Sequence, residues 1–276
     1  MQQFLVASLV WAVFSLSPAL ARADQFETFY LDPARSFMQY VSGDVNAQLS
    51  ITQFAFADML DQPGVAPAPL SGHFVMQIGN DASNPTSFDI LSGTTDIRPA
   101  DVNTVSPGTG GAAGTTDAAF GISFLDATNG IGGDVAFHDL AFGISGSFNP
   151  VANGLGPNGL QGSMPWALVD GDLEIQTSIG IGGTAFVPFT TSATQSVDSS
   201  ASQFSETSPG VYEVVIPFQF LIGVTPVAGP FSGALVRATF SGEIVATNVV
   251  PEPGSGALLG LGLLLLTARR RQGTSR

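Results

Sequence analysis

The chain contains no cysteine and no lysine among its 276 residues. Without cysteine it can form no disulfide, no zinc–thiolate site and no iron–sulfur cluster, and it has no thiol nucleophile. Without lysine, a catalytic Ser–Lys dyad is excluded as well. A chain of this length can bury a core large enough to fold without disulfides, so the absence of cysteine is compatible with export.

Charged residues are also scarce, at 11% of the sequence against roughly 25% in an average soluble domain. Residues 24–250 contain three arginines and 21 acidic residues, which gives this stretch a formal net charge of −18. A surface of that sign repels nucleic acid and anionic lipid, and it attracts cations. We therefore expect no nucleic-acid partner, and the simplest interpretation of the charge is that it keeps the protein soluble.

The first 23 residues have the pattern of a secretory signal peptide. An apolar run from Phe4 to Leu16 precedes an A-R-A sequence, whose Ala21 and Ala23 form the small-residue site that signal peptidase cleaves. The run is too short for an ordinary membrane span, which needs about 20 residues. One feature departs from the pattern, because no Lys or Arg precedes the run. We predict cleavage after Ala23 and a mature chain that begins near Asp24.

The segment 251–276 has the features of a second address signal. Pro251-Glu252-Pro253 cannot continue a strand or a helix interior, because proline lacks the N–H group and fixes φ. Residues 254–268 are apolar or small without one charge, and Arg269, Arg270 and Arg271 follow directly. An apolar helix of 15 residues spans about 22 Å of a hydrocarbon core of about 30 Å. Arginines stay in the cytoplasm by the positive-inside rule, so residues 24–250 are expected outside.

This order of a PEP joint, a Gly/Leu-rich apolar helix and an arginine cluster closely resembles the PEP-CTERM sorting signal of Gram-negative and related bacteria. The resemblance implies recognition by a membrane-embedded exosortase, with Pro251, Glu252 and Pro253 as the recognition residues. It also implies that Arg269, Arg270 and Arg271 hold the precursor in the membrane before the tail is removed. The resemblance covers only residues 250–271, and proteins with unrelated bodies carry this tail. A plain C-terminal membrane anchor is the alternative, although an anchor does not need the PEP joint.

Between the two ends, period-two alternation of apolar residues indicates an all-β body. The clearest strands are predicted at Leu173–Ile181 and Val236–Ala246, and 211–222 is apolar enough for a strand buried on both faces, with Pro217 at a bulge or an edge. Residues 46–60 also suit an amphipathic helix, although a strand is preferred. Turns are predicted at Asn129-Gly130, Asn153-Gly154, Asn158-Gly159 and Asp170-Gly171. We expect one acidic antiparallel β-sandwich or jelly-roll-like domain over 24–250, with 101–117 as a long surface loop.

Few residues of the body suggest chemistry. Of the two histidines, His73 is expected on a strand surface, and His138 next to Asp139 resembles a base with its orienting acid. Adjacent residues of a strand point to opposite faces, however, so we predict that this pair does not meet. Asp170, Asp172 and Glu174 are expected on one strand face. The simplest interpretation of these acids is a turn and a solvated face; the alternatives are a Ca²⁺ site and, third, a catalytic carboxylate pair.

The sequence thus predicts no catalytic residue, no cofactor-binding residue and no bound cofactor, with Ca²⁺ as the one ion to consider. We expect a non-enzymatic, exosortase-sorted envelope or extracellular-matrix protein whose partners are signal peptidase, exosortase and the membrane around the precursor tail. The usual link of this signal with exopolysaccharide adds extracellular polysaccharide as a partner by resemblance alone. The alternative is a secreted polysaccharide-active enzyme, a glycoside hydrolase or a lyase, on a β-sandwich.

Overall fold

A computed structural model of the chain describes residues 24–49, 52–56, 59–80, 82, 84–107, 114–126, 130–151, 159–178, 182–186, 191–197, 201–224 and 235–248. Every regular element in these ranges is a β-strand, which confirms the predicted all-β body. The described residues therefore contain no helix that is long and apolar enough to cross a membrane. The predicted signal peptide (1–23) and sorting segment (251–276) lie outside the described residues.

The strands are numbered in chain order as β1 (Gln25–Leu31), β2 (Phe37–Leu49), β3 (Thr52–Phe56), β4 (Met59–Asp61), β5 (Ala68–Ile78), β6 (Phe88–Ile90), β7 (Asp96–Pro99), β8 (Asn103–Val105), β9 (Thr116–Ala118), β10 (Phe120–Asp126), β11 (Ile131–Ile144), β12 (Gly146–Val151), β13 (Gly159–Thr177), β14 (Gly182–Phe186), β15 (Thr191–Val197), β16 (Gln203–Ser208), β17 (Val211–Val224) and β18 (Leu235–Asn248).

Sixteen of these strands share one network of backbone ladders, and β8 and β9 form a separate two-stranded sheet. The longest path through the network runs β16-β17-β18-β1-β5-β6-β12-β13-β11-β10-β4, and its pairs are antiparallel. β2 branches from β18 and β5, and β14 and β15 both pair with β13. β7 pairs with both β5 and β11, which lie far apart along the path, so the network closes back on itself.

An aromatic cluster joins strands that are not neighbours in the ladder. Trp166 of β13 is fully buried, and its ring stacks on Phe220 of β17 with centroids 4.5 Å apart. Phe240 of β18 lies 5.0 Å from Phe120 of β10 and 6.4 Å from Phe142 of β11. The inner faces of β17 and β18 therefore pack against the inner faces of β10, β11 and β13.

The strands predicted at 211–222 and Val236–Ala246 are found, and the one predicted at Leu173–Ile181 is found as far as Thr177, since 179–181 lie outside the described residues. Residues 46–60 contain strand rather than helix in β2, β3 and β4. β17 alternates between buried and exposed residues, and its Leu221 is 54% exposed, so the prediction of burial on both faces was wrong. The pairing of β17 with β16 ends at Val215, and Pro217 lies two residues beyond that point. This location agrees with the predicted edge position of Pro217. Asp170-Gly171, predicted as a turn, instead lies within β13.

The segment predicted as a long loop at 101–117 contains the β8–β9 hairpin. Asn103, which is buried, fastens the hairpin to the body because its amide donates to the carbonyls of Ala66 and Ala119 at 3.0 and 2.8 Å. Gln62 accepts a hydrogen bond from the backbone N–H of Ser106 at 2.8 Å. Apolar residues of the hairpin, Val105 and Ala118, pack on Ala136 of β11. The hairpin thus covers part of the outer face of β11.

Candidate cation site and polar groove

A groove with a volume of about 600 Å³ opens where β10, β11 and β13 meet the hairpin. Its lining is mostly small and polar: Ser106, Pro107, Gly114, Ser123, Phe124, Gly132, Gly133, Asp134, Gln176, Thr177 and Ser178. Asp134 is the single carboxylate among these lining residues, and its Oδ1 accepts a hydrogen bond from the Ser123 hydroxyl at 2.7 Å. Hydrolysis of a glycosidic bond usually needs two carboxyl groups that flank the bond. The described lining therefore contains one of the two carboxyl groups that such hydrolysis uses.

Gly133 allows β11 to approach its neighbours closely at this groove. A Cβ atom added at Gly133 would lie 2.4 Å from the backbone oxygen of Gln176 and 2.6 Å from the ring of Phe124. Such distances are too short for non-bonded atoms, so the narrow floor of the groove requires glycine here.

Four residues beyond Asp134 along β11, a distance of about 13 Å in a strand, acidic residues gather around His138. His138 pairs in register with Asp172 of β13, and the next regular pair is Ala141 with Asp170, so β11 bulges between them. At the bulge Asp139 has a φ of 53°, in the left-handed region that non-glycine residues seldom adopt. The bulge redirects the Asp139 side chain, as β-bulges commonly do.

The bulge brings three potential metal ligands together. Oδ2 of Asp139 lies 3.4 Å from Nδ1 of His138. One ligand atom from each of His138, Asp139 and Asp172 can be chosen so that all three lie within 4.8 Å of one another. The Asp139 side chain is 76% exposed and the His138 side chain 15% exposed, so the group is open to solvent on the Asp139 side.

Behind the imidazole lies a buried carboxylate. Oε1 of Glu174, whose side chain is 1% exposed, lies 3.8 Å from Nε2 of His138. That Nε2 atom is itself buried and has no hydrogen-bond partner among the described residues. Ala136, the register partner of Glu174, lies under the β8–β9 hairpin, and this cover accounts for a carboxylate buried on the outer face of the sheet.

Burial and like charges both disfavour the ionised carboxyl groups of this cluster. Burial raises the pKa of Asp172, and the negative charges of Asp139 and Asp170 raise it further, while His138 opposes the shift. Burial likewise raises the pKa of Asp101, whose Oδ2 accepts a hydrogen bond from the Asp139 backbone N–H at 3.0 Å. A bound cation would relieve the repulsion among these groups.

The prediction that His138 and Asp139 cannot meet was wrong. The prediction assumed regular alternation, whereas the backbone at Asp139 leaves the β region and turns the carboxylate toward the preceding imidazole. The prediction of one shared face holds for Asp172 and Glu174, since both lie beside His138. Asp170 is exposed, and its Oδ1 accepts a hydrogen bond from the Gly171 N–H at 3.0 Å.

His73 is partly exposed on β5, as predicted, and Leu70 and Phe74 of the same strand are buried. Its ring centroid lies 6.0 Å from that of Tyr30 on β1. The nearest described carboxylate by strand register is Asp96 of β7, and no metal-ligand group of three or more was found around His73 in the described ranges.

The residues predicted to direct sorting and processing lie outside the described residues. These are Ala21 and Ala23 for signal-peptide cleavage, Pro251, Glu252 and Pro253 for recognition, and Arg269, Arg270 and Arg271 for membrane retention. Their roles stay predictions.

The fold and the charge together define an acidic all-β body, and the comparison with protein families identifies the tail. The family model of the PEP-CTERM protein-sorting motif matches residues 249–271, which confirms the resemblance drawn from the sequence. The motif marks the chain as an exported protein that is sorted by an exosortase. No curated protein and no solved structure matches the chain.

Proposed function

We propose that the protein is a non-enzymatic component of the cell envelope or extracellular matrix, delivered by signal peptidase and exosortase and associated with extracellular polysaccharide. The observation that carries this proposal is the PEP-CTERM motif at 249–271, because it specifies export and sorting independently of the body. The mature body, about 24–250, is then released or transferred to the cell surface after the precursor leaves the inner membrane.

Two features of the body support a binding or structural role over catalysis. The groove at β10, β11 and β13 has one carboxylate, Asp134, among its described lining residues. The hydroxyl, amide and carboxylate groups around it, such as Ser123 and Gln176, are the donors and acceptors that bind sugar hydroxyls. A polysaccharide-active enzyme remains the alternative, and it requires a second carboxyl group about 5 to 10 Å from the first.

We also propose that the body is an antiparallel β-sandwich. The contacts of Trp166 with Phe220 and of Phe120 with Phe240 support this architecture, because they join strands that are distant in the ladder across one core. Packing of two antiparallel sheets face to face produces such contacts between their inner faces.

The sorting proposal is tested by comparing the wild-type chain with a variant that carries Pro251→Ala and Pro253→Ala. The wild-type protein should be recovered outside the inner membrane, with an N-terminus near Asp24 and without the peptide that follows the PEP joint. The variant should keep the tail and stay in the membrane fraction, because alanine permits the joint to continue the apolar helix. Cell fractionation and mass spectrometry of the termini measure both results.

A matched control replaces Pro226 and Pro230 with alanine, since both prolines lie in the same chain but outside the motif. Normal maturation of the Pro251/Pro253 variant would contradict recognition of the PEP joint. An intact tail on most wild-type molecules would identify a simple membrane anchor instead. Release of reducing sugar ends from an exopolysaccharide by the wild-type protein, lost on Asp134→Asn, would favour the enzyme.

A further inference from the structure

We propose that His138, Asp139 and Asp172 form a binding site for one transition-metal dication of the Zn²⁺ class, with Glu174 as the carboxylate that orients the imidazole. Nothing in the sorting function requires this site, so the proposal stands apart from the proposed function. Three observations carry it: the geometry of the ligand atoms, the buried carboxylate behind the imidazole, and the lack of any protein cation that could neutralise the cluster.

The ligand atoms have nearly the spacing that the ion needs. Zn²⁺ binds imidazole nitrogen at about 2.0–2.1 Å and carboxylate oxygen at about 2.0–2.2 Å, so tetrahedral ligand atoms lie roughly 3.4 Å apart. Nδ1 of His138 and Oδ2 of Asp139 are separated by 3.4 Å. An oxygen of Asp172 lies within 4.8 Å of a ring nitrogen of His138 and of a carboxylate oxygen of Asp139, and the Asp172 side chain is partly exposed and so has room to rotate.

The second observation concerns the far side of the imidazole ring. A metal-ligating histidine almost always donates its other N–H to a carboxylate or carbonyl, which fixes the tautomer and the ring orientation. Here the Nε2 of His138 is buried, and the Oε1 of Glu174 lies 3.8 Å away at a side chain that is 1% exposed. In the proposed site Nε2 carries the proton and a small movement brings it to Glu174, which leaves the lone pair of Nδ1 on the side of the Asp139 carboxylate, 3.4 Å away.

The third observation is the charge balance. Five carboxyl groups lie on or next to this site, those of Asp101, Asp139, Asp170, Asp172 and Glu174. Among the described residues, His138 is the single basic side chain near them. The chain has no lysine. The three arginines of residues 24–250 each form an ion pair elsewhere, Arg35 with Glu213, Arg98 with Asp96, and Arg237 with Asp44. With the arginines paired elsewhere, a bound cation would neutralise part of this charge while the carboxyl groups stay ionised.

The imidazole also selects the ion. Ca²⁺ and Mg²⁺ take oxygen ligands, and Ca²⁺ needs six to eight of them, whereas Zn²⁺ and its first-row neighbours bind imidazole readily. The site has one nitrogen and two carboxylates as first ligands, with water able to complete four-coordination from the open Asp139 side. We therefore expect Zn²⁺ to bind in preference to Ca²⁺, which differs from the ion suggested by the acid-rich sequence.

The experiment uses the full chain, purified in detergent through a tag without histidine and stripped with a chelator. Zn²⁺, Ca²⁺ and Mg²⁺ are added at matched ionic strength, and the melting temperature and binding isotherm are measured. Zn²⁺ should raise the melting temperature, and the isotherm should saturate at one ion per chain, because a ligand that binds only the native state stabilises it by RT ln(1 + [L]/Kd). Ca²⁺ should have no larger effect than Mg²⁺.

The variants separate the site from adventitious binding. His138→Gln should weaken Zn²⁺ binding by at least about 10-fold, whereas His73→Gln, at the other histidine of the body, should leave it unchanged. Glu174→Gln should still bind the ion, but about 10- to 100-fold more weakly, as expected for an orienting partner. The visible spectrum of bound Co²⁺ should show an imidazole ligand in the wild-type protein and the His73 variant, and lose it in the His138 variant.

Each comparison is made within one variant, with and without the metal, so a loss of stability from the substitution itself does not obscure the result. Equal effects of Zn²⁺ and Mg²⁺ on the wild-type chain would overturn the proposal. Unchanged Zn²⁺ binding by His138→Gln would show that the ion binds elsewhere on the acidic surface, and would also overturn it. A preference for Ca²⁺ would exclude the imidazole as a ligand.

Discussion

Trp166 is the side chain on which the packing of the body most depends. Its ring is fully buried among β11, β13 and β17. The ring centroid lies 4.5 Å from that of Phe220, 4.7 Å from that of Phe218 and 6.0 Å from that of Phe142. Aromatic pairs at such distances stabilise beyond the burial of their area. A residue in this position couples β13 to β17 and β11, so its removal affects several strands at once.

We expect Trp166→Ala to lower the free energy of unfolding by about 3–5 kcal/mol, because the substitution leaves a large cavity in a close-packed core. Urea unfolding followed by far-UV circular dichroism measures the change. Leu221→Ala is the matched control, since Leu221 is next to Phe220 on β17 but 54% exposed. It should change the free energy by no more than about 0.5 kcal/mol. Similar losses from both substitutions would contradict the central role of Trp166.

The cation site shows what a sequence can and cannot predict at the level of single residues. His138, Asp139, Asp172 and Glu174 are all conspicuous in a chain with two histidines and few charges. Their meeting depends on a bulge and on the φ of 53° at Asp139, which regular alternation does not predict. Asparagine and aspartate tolerate this conformation better than most residues, and that tolerance is the one local signal available.

At the scale of elements, the β8–β9 hairpin determines how the outer face of β11 is covered. Three hydrogen bonds join the Asn103 side chain to the body. Its amide N–H group donates to the carbonyls of Ala66 and Ala119, and its Oδ1 accepts from the Ala66 N–H at 2.8 Å. The cover makes Glu174 a buried carboxylate and forms one side of the polar groove. The hairpin thus connects the groove and the cation site, which share β11 and β13.

We predict that Asn103→Ala loosens this hairpin and lowers the free energy of unfolding by about 1–3 kcal/mol, since it leaves the buried carbonyl of Ala119 and the partly buried N–H and carbonyl of Ala66 without this partner. Hydrogen exchange of the amides in β8 and β9 should accelerate more than exchange in β17. Val102→Ala, at the 56% exposed residue that precedes Asn103, is the control and should leave both measurements nearly unchanged. Unaltered exchange in the Asn103 variant would show that apolar packing alone holds the hairpin.

The strands of the body were predictable where one face is buried, and less so elsewhere. Alternation identified β18 and the last residues of β13, from Leu173 to Thr177, because a period of two follows directly from strand geometry. It failed for the outer face of β13, where Glu174 is buried by a hairpin that lies some 60 residues earlier in the chain. The Asp170-Gly171 pair has the composition of a turn, yet the long ladder with β11 continues across it. Tertiary pairing overrode the local signal.

At the scale of the whole molecule, negative charge is the dominant electrostatic feature. The body carries a formal net charge of −18, and its three arginines lie in exposed ion pairs. Exposed pairs contribute little to stability, typically about 0–1 kcal/mol each. Most of the acidic charge therefore has no compensating partner within the chain, and its repulsion opposes the compact state at neutral pH.

Three carboxyl groups of the body lead to a prediction of how stability depends on pH. Burial raises the pKa of Asp61, Asp101 and Asp172 above the ordinary value of 3.8. An acid whose pKa is raised by folding favours the native state while it is protonated. Its stabilising contribution is complete below about pH 3.8 and disappears as the pH rises through the folded pKa. The free energy of unfolding of the metal-free protein should therefore increase as the pH falls from 7 through the raised pKa values of these groups toward 3.8.

Thermal melts of the full chain, stripped of metal and measured across this range, test the sign. The Asp101→Asn and Asp172→Asn double variant should be more stable than the wild-type protein at pH 7 and less dependent on pH, because it cannot ionise at either site. Asp89→Asn, at a partly exposed carboxylate on β6, is the matched control. Sodium chloride at 0.15 M, where the Debye length is about 8 Å, should reduce the contribution of the exposed charges more than that of the buried groups. A melting temperature that falls steadily as the pH is lowered from 7 toward 3.8 would contradict the assignment, since it would require carboxylates that are stabilised, rather than penalised, in the folded protein.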